Sequence, residues 1–252
     1  MMRLVLFIFL LLGLYGCNMS AAKSLEECAS LYRGLENDKS LSTPLLQAEF
    51  LEKQGQACMG YDEFNVWVVS LYQDAGEYDK SVVIAKKALS AAKEYKPNLQ
   101  QFIAEAELQK GNEIEAIKQG EQIAQEFPNY VPILGFLGEI AWKKQDWPRA
   151  LELSEKEYKI DKSALALLGI ATALHQLDRH EEVVDAVYKA LELEPDRIKS
   201  ATGILEGVAS LAILGRKEEA VKLAQRHIDA DPNWRSNTGF VDLIAKIGMN
   251  PV

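Results

Sequence analysis

The sequence lacks the excess of basic residues that nucleic-acid binding requires. It carries 28 Lys and Arg against 37 Asp and Glu, which gives a net charge of −9 at pH 7. Proteins that bind nucleic acids need clustered Lys and Arg to neutralise phosphate. The acidic balance therefore argues against a nucleic-acid partner, and equally against the folded body lying flat on an anionic lipid surface.

The sequence also lacks a recognisable catalytic or metal-binding constellation. It has no glycine-rich phosphate loop and no nucleophile elbow. The three histidines are His175, His180 and His227, and the first two are five residues apart, unlike the i, i+4 pair that binds zinc on one helix. We therefore expect no catalytic residue, no cofactor and no metal, and a protein that is not an enzyme.

The sequence has no apolar run long enough to cross a membrane. Its one extended apolar run is short and lies at the start of the chain. Residues 4–14 are apolar, whereas a membrane-spanning helix needs about 20 apolar residues. Arg3 precedes this run and Gly16-Cys17 follows it. A positive charge, a short apolar stretch and a small-residue cleavage site are typical of a secretory signal peptide.

The cleavage site carries further information. Leu14-Tyr15-Gly16-Cys17 resembles the lipobox of bacterial lipoproteins, which implies cleavage before Cys17 and acylation of that cysteine. Several acyl chains make a stable membrane anchor. In Gram-negative lipoproteins an aspartate after the cysteine often favours the inner membrane, so Asn18 favours the periplasmic face of the outer membrane. The alternative is an ordinary secretory signal with a chance cysteine.

Only two cysteines remain after Cys17, and their positions predict a disulfide. Residues 25–35 and 45–57 are predicted helices of an antiparallel hairpin, in which the start of the first helix lies beside the end of the second. Cys28 is near that start and Cys58 near that end. Because paired cysteines are typical of an oxidising compartment, we expect a bridge; the alternative is two free buried thiols.

No Gly/Ser-rich or Pro-rich stretch divides the chain; a repeat fills it instead. A small residue begins the second half of each repeat, at intervals of 35, 34, 33 and 37 residues: Ser81, Ala116, Ala150, Val183 and Ala220. A period near 34 residues is typical of stacked helical hairpins. We predict an all-α protein with a signal peptide (1–16), a tether (17–24), an N-terminal cap hairpin (25–60), five repeats (61–233) and a C-terminal capping helix (234–252).

Several residues of the repeat match one family. They are a Leu-Gly pair, an aromatic residue, a turn, alanines and closing prolines, found here as Leu137-Gly138, Tyr72, Gly76-Glu77-Tyr78, Ala85, Ala88, Ala224, Pro128, Pro195 and Pro232. With these residues the segment 61–233 resembles the tetratricopeptide repeat (TPR). The resemblance implies a right-handed α-solenoid whose first helices line a concave groove that binds a protein or peptide.

The resemblance also implies which residues face the groove. They are Val66, Ser70, Gln101, Glu105, Leu108, Glu139, Trp142, Leu168, His175 and Leu205. One branch of the family grips terminal carboxylates with Lys and Asn, but here Ser70, Glu105 and Glu139 stand at those positions. A peptide with basic and apolar parts suits this groove better, which we expect to be acidic at its early end and apolar at its late end.

Two alternatives to this groove remain open. Trp142 is the candidate anchor for a partner, because an exposed aromatic residue in a binding surface typically contributes strongly to affinity; the alternative is burial of Trp142 between neighbouring repeats. Leu205, Ala212 and Ile213 either line the groove or are covered by the terminal helix.

The combination of a lipid anchor and a repeat array predicts an envelope scaffold. The architecture resembles that of pilotins and of lipoproteins that assist pilus assembly, so we expect a non-enzymatic role in assembly of a pilus, a secretin or another envelope complex. The alternative is a peptidoglycan-binding protein, or an adaptor or regulator of an envelope enzyme. Fold resemblance does not choose between these roles.

The lipid anchor can be tested by substituting its cysteine. In the Cys17→Ser variant, acylation has no acceptor thiol, so we expect the protein to move from the membrane fraction to the soluble envelope fraction. Fractionation followed by immunoblotting measures this, with Glu192→Gln as the control that leaves all three cysteines in place. Unchanged membrane association of Cys17→Ser contradicts the anchor.

Overall fold

A computed structural model describes residues 23–195 and 203–249. These ranges are helical and contain no strand, which confirms the all-α repeat fold. The predicted signal peptide and Cys17 lie outside the described residues. Within the described ranges, no helix combines the length and the apolar character needed to cross a membrane. The α-helices are α1 (Leu25–Gly34), α2 (Pro44–Gln54), α3 (Asp62–Asp74), α4 (Tyr78–Leu89), α5 (Lys96–Gln109), α6 (Glu113–Glu126), α7 (Val131–Lys143), α8 (Trp147–Asp161), α9 (Ala164–Gln176), α10 (His180–Leu193), α11 (Gly203–Ile213), α12 (Lys217–Ala230) and α13 (Thr238–Lys246).

The chain forms two compact units, residues 1–116 and 117–252, and the boundary between them falls within α6. In the first unit, α3 packs against α2, α4 and α5. Its core includes the buried side chains of Phe64, Val68 and Tyr72. The Tyr72 hydroxyl donates a hydrogen bond of 2.6 Å to Glu52 Oε2. Burial and this carboxylate raise the pKa of Tyr72 to about 12.

The N-terminal hairpin of the first unit is defined by caps at both of its helices. Ser24 and Glu27 form a capping box at the start of α1, and the Thr43 side chain accepts from a backbone N–H at the start of α2. These bonds satisfy backbone donors that have no partner inside the helix. The helix bounds are within a few residues of the prediction.

The predicted disulfide is present in this hairpin. Cys28 and Cys58 are bridged, with their Cα atoms 5.7 Å apart, and both side chains are fully buried. Leu35, Ala48 and Leu51 belong to the same apolar cluster. The bridge therefore joins the beginning of α1 to the residues that follow α2, as the hairpin geometry requires.

In the second unit, consecutive helices pack in series from α7 to α12, and α9 also packs against α11. The α9 helix is almost wholly apolar, because it is covered by α8, α10 and α11. After α12, a short 3₁₀ turn (Pro232–Ser236) leads into α13. The rings of Trp234, His227 and Phe240 contact one another there.

Each repeat has the same turn between its two helices. One residue in the turn has a positive φ, and the intervals between these residues are 35, 34, 33 and 37: Gly76, Gly111, Gln145, Asp178 and Gly215. Two backbone N–H groups cap the first helix at every turn; at the first they are those of Gly76 and Glu77, bonded to Gln73 and Tyr72. Glycine adopts positive φ without steric cost, but Gln145 and Asp178 show that the turn also forms without it.

The turn recurs a sixth time at the end of α13. Gly248 has a φ of 75° and lies 33 residues after Gly215. Its N–H and that of Met249 bond to Ala245 and Ile244 in the pattern of the other turns. The helix predicted as a cap is thus built as the first helix of a further repeat.

The disulfide closes a loop of 30 residues, so the Cys28→Ser/Cys58→Ser double variant should lose about 3–4 kcal/mol of unfolding free energy through a less constrained unfolded chain. Chemical denaturation followed by circular dichroism measures the loss. Wild-type protein in reductant is the matched control and should unfold like the double variant. Recovery of both cysteines as free thiols from the untreated protein contradicts the bridge.

Candidate functional site

The ten predicted groove residues divide equally between the two units. In the first unit, Val66, Ser70 and Leu108 are partly exposed. Gln101 Nε2 donates a hydrogen bond of 2.7 Å to Glu105 Oε1 on the next turn of α5. This half of the predicted set therefore combines apolar residues with polar ones.

In the second unit, one predicted groove residue is misplaced. Leu168 is only 5% exposed. A Cβ atom built on Gly203 would lie 2.8 Å from the Cβ of Leu168. The prediction was wrong for Leu168 because α9 and α11 approach so closely that its side chain fills the contact between them.

His175 is part of a partly buried hydrogen-bond cluster. Nδ1 of His175 and Nδ1 of His180 lie 3.0 and 3.2 Å from Ser210 Oγ, and the two rings are 5.5 Å apart. The two rings meet because His175 lies at the end of α9 and His180 at the beginning of α10, so the contact crosses the turn between the helices. A comparison of their spacing along a single helix does not predict this contact. Burial and the neighbouring His180 lower the pKa of His175. Among the described residues, no three His, Cys, Asp or Glu side chains are grouped as a metal site would require.

A cavity of about 400 Å³ opens on the surface of the second unit. Four helices contribute to it. It is lined by Leu134, Gly135, Gly138, Glu139 and Trp142 of α7, Ala150, Ser154 and Glu157 of α8, Gly169 and Thr172 of α9, and Glu206 of α11. The space beside Gly135 is open, because a Cβ atom built on this residue would have no neighbour within 4 Å.

Trp142 forms one wall of this cavity. Its side chain is 41% exposed, so the alternative of burial between repeats does not hold. Its ring meets the edge of Trp147 at the start of α8, with centroids 4.9 Å apart. Trp147 thus supports one side of the indole, while the other parts of the ring remain available to the cavity.

Three carboxylates line the same cavity. Glu139 is exposed at the rim and lies 3.5 Å from the Lys143 ammonium group. Glu157 is deeper, and burial together with the nearby Asp161 raises its pKa. Burial also raises the pKa of Glu206, whose Oε2 atom is inaccessible and has no hydrogen-bond partner in the described part of the chain. No Lys or Arg is among the lining residues.

Sequence reasoning missed Glu157 and Glu206. Glu206 is seven residues before Ile213, so the two share a stripe of α11, but the groove residues predicted on this helix are Leu205 and, as an open alternative, Ala212 and Ile213. Glu157 lies on a second helix, where no groove residue was sought, although Ala150 and Ser154 precede it at i−7 and i−3. Their spacing of three or seven residues from a lining residue or a predicted groove residue on the same helix is the sequence signal that predicts both glutamates.

The late end of the groove also differs from the expectation. Ile213 is 61% exposed, and Leu205 and Ala212 are partly exposed, so the terminal helix does not cover Ile213. Glu206 lies on the same helix, α11. This end therefore combines apolar and acidic groups, where an apolar surface alone was expected.

Known structures resemble the fold of the chain. The C-terminal part of a TPR repeat-containing protein from Cytophaga hutchinsonii is 14% identical, with a TM-score of 0.62 over 89% of this chain and 84% of that one. MamA of AMB-1 is 20% identical, with a TM-score of 0.52 over 66% and 95%. YrrB, described as a TPR protein with an unusual peptide-binding site, is 16% identical, with a TM-score of 0.54 over 74% and 94%.

These similarities show the TPR-like repeat fold, which the sequence motifs predicted. No protein-family model and no curated protein matches the sequence. The cavity combines an aromatic wall with carboxylates, and its composition suits the binding of a ligand group.

The buried carboxylate of Glu206, whose Oε2 atom has no hydrogen-bond donor in the described part of the chain, should reduce stability. Its raised pKa means that the folded state holds this proton more tightly than the unfolded state, so the wild type loses stability as pH rises through that pKa. Glu206→Gln removes the charge and should raise the unfolding free energy at pH 7 by about 1 kcal/mol. The gain should vanish below the ordinary carboxyl pKa.

Denaturant unfolding at several pH values measures the difference between this variant and the wild type. Glu192→Gln is the control, because Glu192 is an exposed carboxylate of α10 in the same unit. It should change stability little at any pH. A Glu206→Gln protein that is less stable than the wild type at pH 7 contradicts the assignment of an unpaired buried charge.

Proposed function

We propose that the protein is a non-enzymatic interaction scaffold that binds a segment of a partner protein at the cavity of the second unit. The observation that carries this proposal is the exposed indole of Trp142 beside an open, partly apolar cavity. Large aromatic side chains combine extensive contact area with few rotatable bonds, and they are enriched among the residues that dominate protein interfaces.

The nature of the lining residues supports binding over catalysis. Of the two hydroxyl groups in the cavity, that of Thr172 donates to the backbone oxygen of Leu168 at 2.9 Å, which satisfies it within α9. A nucleophile beside a general base would be needed for covalent chemistry, and no histidine or cysteine lines the cavity. The described side chains at this site can contact and orient a ligand.

We further propose that acylated Cys17 holds this scaffold at the periplasmic face of the outer membrane. The motif around Cys17 and the residue Asn18 support this location. A scaffold on a lipid anchor holds its binding cavity close to complexes that assemble in that membrane. We therefore propose assistance in the assembly of a pilus or secretin as the role, with the peptide-binding description of YrrB as a precedent on a similar fold.

Affinity capture tests the scaffold proposal. Tagged full-length protein in detergent should retain a specific envelope protein, and Trp142→Ala should reduce its recovery by about tenfold, since removal of a central aromatic anchor costs more than 1 kcal/mol. Quantitative mass spectrometry measures the recovery. Leu165→Ala is the control, because Leu165 is a half-exposed apolar residue on α9 of the same unit.

Two results contradict the scaffold. One is equal recovery of every captured protein by Trp142→Ala and by Leu165→Ala. The other is binding of the wild type to purified peptidoglycan with no specific protein retained, which favours the wall-binding alternative. Circular dichroism of each variant confirms that the comparison is made between folded proteins.

A further inference from the structure

We infer that the cavity of the second unit binds the cationic side chain of a Lys or Arg in the partner segment. This inference rests on the proposed function, because it names the chemistry of the group that the cavity receives. Three features of the cavity support the inference. They are its charge, the carboxylate of Glu206, and the space beside its aromatic wall.

The first requirement is charge. Glu139, Glu157 and Glu206 face the cavity from three different helices, and its lining contains no basic residue. Lys143 lies close to Glu139 at the rim, where both side chains are more than half exposed. The two deeper carboxylates have no cationic partner among the described residues. An incoming cation therefore meets charge that the protein itself leaves unbalanced.

The second requirement is an acceptor at the cavity surface. The Glu206 side chain lines the cavity, while its Oε2 atom lies beneath that surface without a hydrogen-bond donor from the described residues. A carboxylate oxygen can only accept, and an ammonium or guanidinium group can only donate. Charge-assisted hydrogen bonds of this type are stronger than those between neutral groups. A bound Lys or Arg would donate to the carboxylates at the cavity surface and would balance their charge.

The third requirement is space for the stem of the side chain. The aliphatic part of Lys or Arg packs along apolar surface while its head group reaches polar atoms. Leu134, Gly135 and Trp142 provide that surface, and a volume of about 400 Å³ accommodates one long side chain. The indole of Trp142 adds cation–π attraction for a cation within about 6 Å of its ring.

The test uses two small probes that differ only in charge. Nα-acetyl-lysine methylamide carries the ammonium group, and Nα-acetyl-norleucine methylamide is its neutral counterpart. The full-length protein, in detergent and labelled with ¹⁵N-tryptophan, gives one indole signal for each of its four tryptophans. Titration at low ionic strength should shift the Trp142 signal saturably, with a Kd at least fivefold lower for the lysine probe.

Three variants locate the binding site. Glu206→Gln should raise the Kd of the lysine probe by about tenfold, which corresponds to about 1.4 kcal/mol. Glu192→Gln removes the same charge from an exposed position of the unit and should change the Kd less than twofold. Gly135→Leu introduces a side chain where the structure has room for it, so the variant should fold and should block both probes.

Specific results overturn the inference. Equal Kd values for the two probes show that charge is not recognised. Equal effects of Glu206→Gln and Glu192→Gln show that only the net charge of the unit matters. Equal shifts of Trp67 and Trp142 place the probe elsewhere.

The outcome is distinguishable from that of the scaffold proposal. If affinity capture retains a protein through Trp142 while the lysine probe fails these criteria, the scaffold stands and the cationic side chain is wrong. If the probe binds as expected while no protein is captured, the cavity chemistry stands and the scaffold proposal fails.

Discussion

The turn between the two helices of each repeat is the constraint on which the rest of the structure depends. One residue in the left-handed region reverses the chain within a few residues, and two backbone hydrogen bonds close the preceding helix. Because the same bonds form at Gln145 and Asp178, their local gain outweighs the steric cost of a side chain at positive φ. Identical turns place equivalent residues of successive repeats at equivalent sites, so that α7, α9 and α11 present their side chains to one cavity.

The glycines of the second unit act in two opposite ways. At Gly203 the absent side chain permits contact, because a Cβ atom there would meet Leu168 at 2.8 Å. At Gly135 it leaves open space, because nothing lies within 4 Å of the corresponding position. Close packing of α9 on α11 and room beside α7 therefore arise from the same residue type. The cavity forms because α9 and α11 pack closely at Gly203 while the surface of α7 at Gly135 stays open.

The fold was predictable from the sequence to a greater degree than the site. The period near 34 residues, the paired cysteines and the helical spacing all report on local geometry, and local geometry recurs in every repeat. The site depends on contacts between helices, which one-dimensional spacing does not contain. His175 and His180 seemed to lie apart because they were compared along one helix, whereas they meet across a turn. Leu168 seemed to face the groove because its burial depends on a glycine 35 residues away.

Glu206 connects the stability of the second unit with its function. A carboxylate whose oxygen is buried without a donor costs free energy in the folded state, and an apolar or amide side chain at this position would avoid that cost. The neighbouring residues of α11 are apolar, and Glu206 stands in the first turn of the helix, where the helix dipole favours a carboxylate. Polar groups that are unsatisfied within a fold are typical of sites that receive a ligand. The proposed basic side chain of a bound protein would balance this charge from the cavity, where Glu206 stands with Glu139 and Glu157.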